Sequence, residues 1–178
     1  MKCILLVDDN TENRYLLEKM LKSAGYKTIS AANGAEALSI ALNEAPDAVI
    51  SDVLMPLMDG FTLCREWKSN ARLQKIPFIF YTATYTDPKD EEFALSLGAD
   101  RFIVKPQEIS VILKIISEAL EVYEVKPSRM SPPPQAEEQV FLKEYNETLI
   151  RKLEEKMAQV EAAEKQLKEK NAVLERDL

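Results

Sequence analysis

The sequence predicts an α/β fold built on a parallel sheet with helices on both faces, and three observations carry that prediction. Five short apolar runs alternate with five helix-forming stretches at the spacing of βα units. Gly, Asn or Pro marks the junctions, as at Gly25, Asn33-Gly34, Pro46 and Gly98. Four of the five runs end on a residue able to hold a phosphoryl group or its companion cation: Asp8-Asp9, Asp52, Thr82 and Lys105. In such a sheet the crossovers are right-handed, and ligands bind beyond the carboxyl ends of the strands.

The first strand spans Cys3 to Val7 and runs straight into Asp8-Asp9. Asn10 is a helix cap, and Tyr15, Leu16, Leu17, Met20 and Leu21 form the apolar face that follows. Lys27 to Ala31 is the second strand. Asn33-Gly34 turns the chain into a helix over Ala35 to Leu42, which stops before Pro46. The central strand is Asp47-Ala48-Val49-Ile50-Ser51-Asp52, a short buried run between two prolines. Met55 to Gly60 is a loop, and a third helix begins at Phe61. Ile76 to Thr82 is the fourth strand, followed by a helix from about Asp87 to Leu97. Arg101 to Val104 is the fifth, and the last helix of the domain covers about Glu108 to Val122.

Three carboxylates brought to one sheet edge repel strongly unless a cation sits among them, and Mg2+ takes oxygen ligands of this kind. Asp8, Asp9 and Asp52 are therefore the candidate metal ligands. Asp52 is the candidate nucleophile, its carboxylate attacking phosphorus to give an acyl phosphate. Lys105 is a compact charge for a phosphoryl oxygen and Thr82 a hydrogen-bond donor to it. Taken singly, each is a polar strand end meeting water. Taken together they form a phosphoryl-transfer site.

Residues 1 to about 123 resemble the receiver domain of two-component response regulators, the CheY-like family. The residues that carry the resemblance are Asp8-Asp9, Asp52, Met55-Pro56 with Asp59-Gly60, Tyr81-Thr82-Ala83, Gly98-Ala99-Asp100 and Lys105-Pro106. The resemblance implies a doubly wound, flavodoxin-like sheet in the order 2-1-3-4-5. It implies that Asp52 takes phosphate from the histidine of a sensor histidine kinase or phosphotransfer protein, in a Mg2+-dependent reaction. It further implies that Asp9 binds Mg2+ directly, Asp8 largely through water, and that the Leu54 backbone carbonyl completes the set. Lys105-Pro106 matches the family's cis bond, and Phe102 the aromatic that rotates in step with Thr82. The interval from Thr82 to Lys105 is slightly long for the family, with residues 84 to 88 the place of the extra residue. On this reading the domain is a phosphoacceptor, with self-phosphotransfer and autodephosphorylation its only chemistry.

Composition narrows the alternatives. The chain holds no histidine, which excludes a Ser-His-Asp or Cys-His triad and any His-ligated metal. A net charge of −7 argues against a nucleic-acid partner. The apolar runs are short of a membrane span and the first residues lack a signal-peptide pattern, so a cytoplasmic protein is expected. Cys3 and Cys64 read as small buried hydrophobes. A Mg2+-dependent aspartyl-nucleophile phosphatase is the rival, but it carries a second acid two residues after its nucleophile, where this chain has Leu54. A flavodoxin-type cofactor binder would need a phosphate-cradling loop after the first strand, and the sequence there has none.

Three parts follow from this: a receiver at 1–124, a Pro-rich linker at 125–137 and a coiled-coil helix at 138–178. The linker contains Pro132-Pro133-Pro134, which favours a stiff extended chain. The tail beyond it has neither Pro nor Gly and spaces its apolar residues by heptads. Ile150, Met157, Glu164, Asn171 and Leu178 occupy one seam position, and Leu153, Val160, Leu167 and Leu174 the other. Asn171 favours two strands in register, and Lys156 facing Glu161, with Lys170 facing Glu175, suits a parallel homodimer. Upstream, Leu142, Tyr145 and Leu149 follow a seam offset by one residue. The pattern runs uncapped to Leu178, so an output or sensor module is expected beyond it.

Overall fold

The computed structural model describes residues 1–125 and 138–177, in two compact units. The first holds five strands and five helices: β1 (Cys3–Val7), α1 (Thr11–Ser23), β2 (Lys27–Ala31), α2 (Gly34–Asn43), β3 (Ala48–Ser51), α3 (Gly60–Ser69), β4 (Phe78–Thr82), α4 (Pro88–Ser96), β5 (Arg101–Val104) and α5 (Ile109–Val125). The strand order is β2-β1-β3-β4-β5 and every pairing is parallel. This is the doubly wound, flavodoxin-like sheet that the sequence predicts.

Strand residues alternate between two cores because successive side chains point to opposite faces. Ile4, Leu6, Ile50, Ile79 and Ile103 pack with Leu17 and Leu21 of α1 and with Ile112 and Ile116 of α5. On the other face the rings of Phe78 and Phe80 meet at a tilt of 57°, with centroids 5.0 Å apart. Phe61 of α3 meets Phe80 edge-on at 5.6 Å, and Trp67 meets Phe78 at 5.9 Å. A buried ion pair ties this face to the sheet at the edge away from Asp52. Lys68 Nζ lies 3.2 Å from Asp100 Oδ2, which also accepts the Phe78 amide at 2.8 Å.

Helix starts follow their caps. Asn10, Asn33, Asp59 and Asp87 each accept a backbone N–H in the first turn, and Asp87 forms a capping box with Asp90. The Asp59 cap moves the start of α3 to Gly60, one residue before the predicted Phe61. The last helix runs three residues past its predicted end at Val122. Val125 therefore closes α5 and does not open the linker. The rest of the predicted linker, 126–137, lies outside the described residues, as does Leu178. Cys64 is fully buried as predicted, with burial pushing its thiol up, whereas Cys3 is only half-buried. The difference is positional, since Cys3 opens its strand and Cys64 lies inside a helix packed on the sheet.

The second unit contains α6 (Glu138–Arg176), 39 residues long. Ile150, Leu153, Met157, Val160, Leu167 and Leu174 are all exposed along it, as is Asn171. None of the described helices is long and apolar enough to cross a membrane.

Leu57, in the loop after β3, has φ 65° and is 89% exposed. The left-handed region costs an L-residue about 1–2 kcal/mol, and this side chain gains almost nothing by burial. Leu57→Gly is expected to raise stability by up to about 1 kcal/mol, less the extra freedom glycine gives the unfolded chain. Urea denaturation measures it, and a destabilised variant would contradict the strain.

Candidate functional site

The register of the sheet assembles the site. Val7 pairs with Ser51 across β1 and β3, so Asp8 and Asp52 emerge side by side one residue further on. The Asp52 amide donates to the Val7 carbonyl at 2.8 Å and the Asp8 amide to Ala31 at 3.2 Å, extending the ladders by one step. Thr82 pairs with Val104, and the Lys105 amide donates to the Thr82 carbonyl at 2.8 Å. All these side chains arrive at one edge because all the strands run the same way.

Asp52 is held and only slightly exposed. Its Oδ1 accepts the Val53 amide at 2.7 Å, and its Oδ2 lies 3.7 Å from Lys105 Nζ. Burial raises its pKa above the ordinary 3.8; Lys105 opposes that shift, Asp8 adds to it, and the Val53 amide and Thr82 hydroxyl oppose it. Asp8 is buried too. Its Oδ1 accepts the Asn10 amide at 2.9 Å, and its Oδ2 takes Lys105 Nζ at 3.0 Å. Asp9, the next residue, is exposed. Each of the three acids offers an oxygen within 4.8 Å of the others, which is the donor set a hard divalent cation requires. The chain's own carboxylates thus fit Mg2+.

Thr82 is fully buried, and its hydroxyl accepts the amides of Thr84 at 3.2 Å and Tyr85 at 3.5 Å. Phe102 is half-buried, 6.0 Å from Phe80 between ring centroids. The Lys105-Pro106 bond is cis. Gly60 presses against the site from α3. A Cβ there would lie 2.2 Å from the Asp52 carbonyl oxygen, and the Gly60 amide donates to Val53.

Residues 4–117 match the family model of the response regulator receiver domain. The chain belongs to that family. The receiver is 44% identical over 103 residues to a probable transcriptional regulator, ycf27, of Porphyridium aerugineum, covering 58% of this chain and 41% of the relative. The chain spans about two fifths of the length of this relative and of two similar ones. Among solved structures, the receiver domain of a signal transduction histidine kinase from Syntrophus aciditrophicus is 37% identical with a TM-score of 0.64, covering 74% of this chain and 96% of that one. The receiver domain of the sensor histidine kinase PA1611 from Pseudomonas aeruginosa PAO1 is 30% identical, with a TM-score of 0.63 and coverages of 67% and 98%. That structure holds a magnesium ion coordinated in its active site cleft.

The receiver brings Asp8, Asp9, Asp52, Thr82 and Lys105 to one edge, with Phe102 on the neighbouring strand. Sequence reasoning assigned no role to three further residues there. Arg14 of α1 donates from Nη1 to the Asp8 carbonyl. Gly60 sets how closely α3 approaches Asp52. Tyr81 puts its ring 4.9 Å, at the centroid, from Lys105 Nζ. Of these, Gly60 and Tyr81 stand in the motifs Asp59-Gly60 and Tyr81-Thr82-Ala83, whereas Arg14 had no signal. A cavity of about 100 Å³ adjoins the acids and is lined by Arg14, Leu16, Tyr81 and Lys105 among others.

Proposed function

We propose that this receiver accepts a phosphoryl group on Asp52 from the phosphohistidine of a sensor kinase or phosphotransfer protein. The observation that carries the reading is the placement of one held carboxylate, Asp52, between Lys105 and two further acids whose oxygens lie within 4.8 Å. An oxygen of Asp52 attacks phosphorus, the phosphorus–nitrogen bond of the donor breaks, and the imidazole leaves with the electron pair and is protonated from solvent. Lys105 shifts from Asp8 towards the incoming phosphoryl oxygens, and the Thr82 hydroxyl turns to donate to one of them. Asp8, Asp9, Asp52 and the Leu54 carbonyl would hold Mg2+, which when bound neutralises charge on the transferring group. The chain supplies positioning and electrostatics, and we read it as a phosphoacceptor and not an enzyme.

The test is direct. Incubate the full chain with Mg2+ and acetyl phosphate, then map the modified peptide by mass spectrometry. Modification confined to Asp52 and dependent on Mg2+ supports the reading; stable label elsewhere, or labelling unchanged by EDTA, overturns it.

Departure of Thr82 towards the phosphoryl group alters the packing beside Phe80, against which Phe102 lies. Phe102 has no hydroxyl, so its two positions would differ by packing alone. The state is then passed to α6, read here as one strand of a parallel homodimer in the cytoplasm. The exposed stripe from Ile150 to Leu174 supports this, as does the opposite charge of Lys156 and Glu161 in facing heptads. A truncation after Val125 is expected to sediment as a monomer and the full chain as a dimer at tens of micromolar. Asn171→Leu should raise the melting temperature of the tail and loosen its preference for two strands. A full-length monomer would contradict the coil, and a dimer surviving truncation would move the interface to the receiver.

A further inference from the structure

We infer that Tyr81 is a positioning residue of the phosphoacceptor site, its ring face holding the Lys105 ammonium over Asp8 and Asp52. The inference rests on the reading of Asp52 as the phosphoacceptor. Lysine carries a long stem with much rotamer freedom, and its ammonium prefers water to any single fixed contact. Here the ammonium is confined from three sides. Asp8 Oδ2 lies at 3.0 Å, Asp52 Oδ2 at 3.7 Å, and the centroid of the Tyr81 ring at 4.9 Å, inside the roughly 6 Å reach of a cation–π contact.

The ring is itself fixed by something other than the lysine. Tyr81 lies half-buried against the core formed with α1 and α5, opposite Ile103 in the β4–β5 pairing. Strand alternation then divides the labour on β4. Thr82 points to one face, where its hydroxyl accepts the Thr84 amide, while Tyr81 points to the other and meets the lysine.

A π face suits this task better than a third carboxylate would. Its attraction is broad and weakly directional, so the ammonium can give up its hydrogen bond to Asp8 and slide towards a phosphoryl oxygen while keeping the ring contact. A carboxylate there would instead hold the ammonium back and add to the repulsion among the acids. The competing account is that Tyr81 merely fills core.

The experiment separates the two. Label the full chain with acetyl phosphate and Mg2+ in wild type, Tyr81→Leu and Tyr81→Phe, and with mono-, di- and trifluorophenylalanine installed at position 81. Tyr81→Leu should slow labelling roughly three- to tenfold, and Tyr81→Phe, which keeps the ring, should recover most of that loss. The fluorinated rings pack almost alike but carry progressively weaker faces, so the rate should fall stepwise while the melting temperature holds. A flat rate across the fluorinated series would reduce Tyr81 to core packing. A second measurement does not depend on labelling. The ring current of Tyr81 should shift the terminal methylene protons of Lys105 upfield in the NMR spectrum, and Tyr81→Leu should abolish the shift. Absence of that shift in wild type overturns the positioning role, whereas an unlabelled wild type with the shift present overturns the phosphoacceptor reading instead.

Discussion

Asp52→Asn is expected to lose all labelling from acetyl phosphate while remaining folded. The amide has nearly the shape of the carboxylate, so the Val53 contact and the packing around it can persist, but it is not a nucleophile towards phosphorus. Asp8 and Asp9 cannot substitute. Asp8 is engaged by the Asn10 amide and Lys105, and Asp9 is exposed beyond the strand end. Label at the wild-type level in this variant would remove Asp52 from its role. The same substitution carries a stability signature. Burial, then Asp8, raises the Asp52 pKa above 3.8, so ionised Asp52 is less favourable in the folded chain than in the unfolded one. Below the unfolded value both states are protonated and the penalty vanishes. It develops as pH rises through the window between the unfolded and the raised folded value, and is complete above that. Without Mg2+, Asp52→Asn should therefore melt higher than wild type at pH 7, and the gap should close as the pH falls towards the ordinary carboxylate range. A gap that widened in acid would give the shift the wrong sign. Added Mg2+ should stabilise wild type more than the variant, since the variant loses one of three carboxylate donors.

Gly60→Ala is expected to cost about 3 kcal/mol or more and to damage the site in the process. The new Cβ would lie 2.2 Å from the Asp52 carbonyl oxygen, 2.9 Å from the Val53 Cα and 3.0 Å from the Phe80 ring. The first two are backbone atoms, so no rotamer change relieves the clash. Either α3 withdraws, opening the contact between Phe61 and Phe80, or the end of β3 shifts and carries the Asp52 carboxylate with it. Gly25→Ala is the control. Its φ of 92° strains an alanine, yet nothing lies within 4 Å of the added atom, so its cost should stay near 1–2 kcal/mol. Urea midpoints for the two variants, with labelling of the folded fraction of each, measure both effects. A Gly60→Ala protein no weaker than Gly25→Ala would rule out the close approach.

The sheet and its acidic edge were legible in the sequence because they depend on local chemistry. Alternating apolar runs and helix caps are short-range signals, and once five parallel strands are recognised, their last residues must share an edge. That is why Asp8, Asp9, Asp52, Thr82 and Lys105 could be named from the chain alone, and why the heptads of the tail could be counted to Leu174. The end of α5 was not legible, since Glu121 to Val125 continue the helix without any stop signal until Pro127. The different placement of Asp8 and Asp9 was decided by the strand's two-residue period, which turns one carboxylate inward to Lys105 and the other towards water. The roles of Arg14, Gly60 and Tyr81 were decided by the tertiary structure. Arg14 reaches Asp8 only because α1 packs back against the strand it follows. Gly60 matters only because α3 crosses the end of β3. Tyr81 meets a lysine 24 positions later because the Thr82–Val104 pairing brings the two strand ends together. Register and packing set such contacts, and neither is written in any window of neighbouring residues.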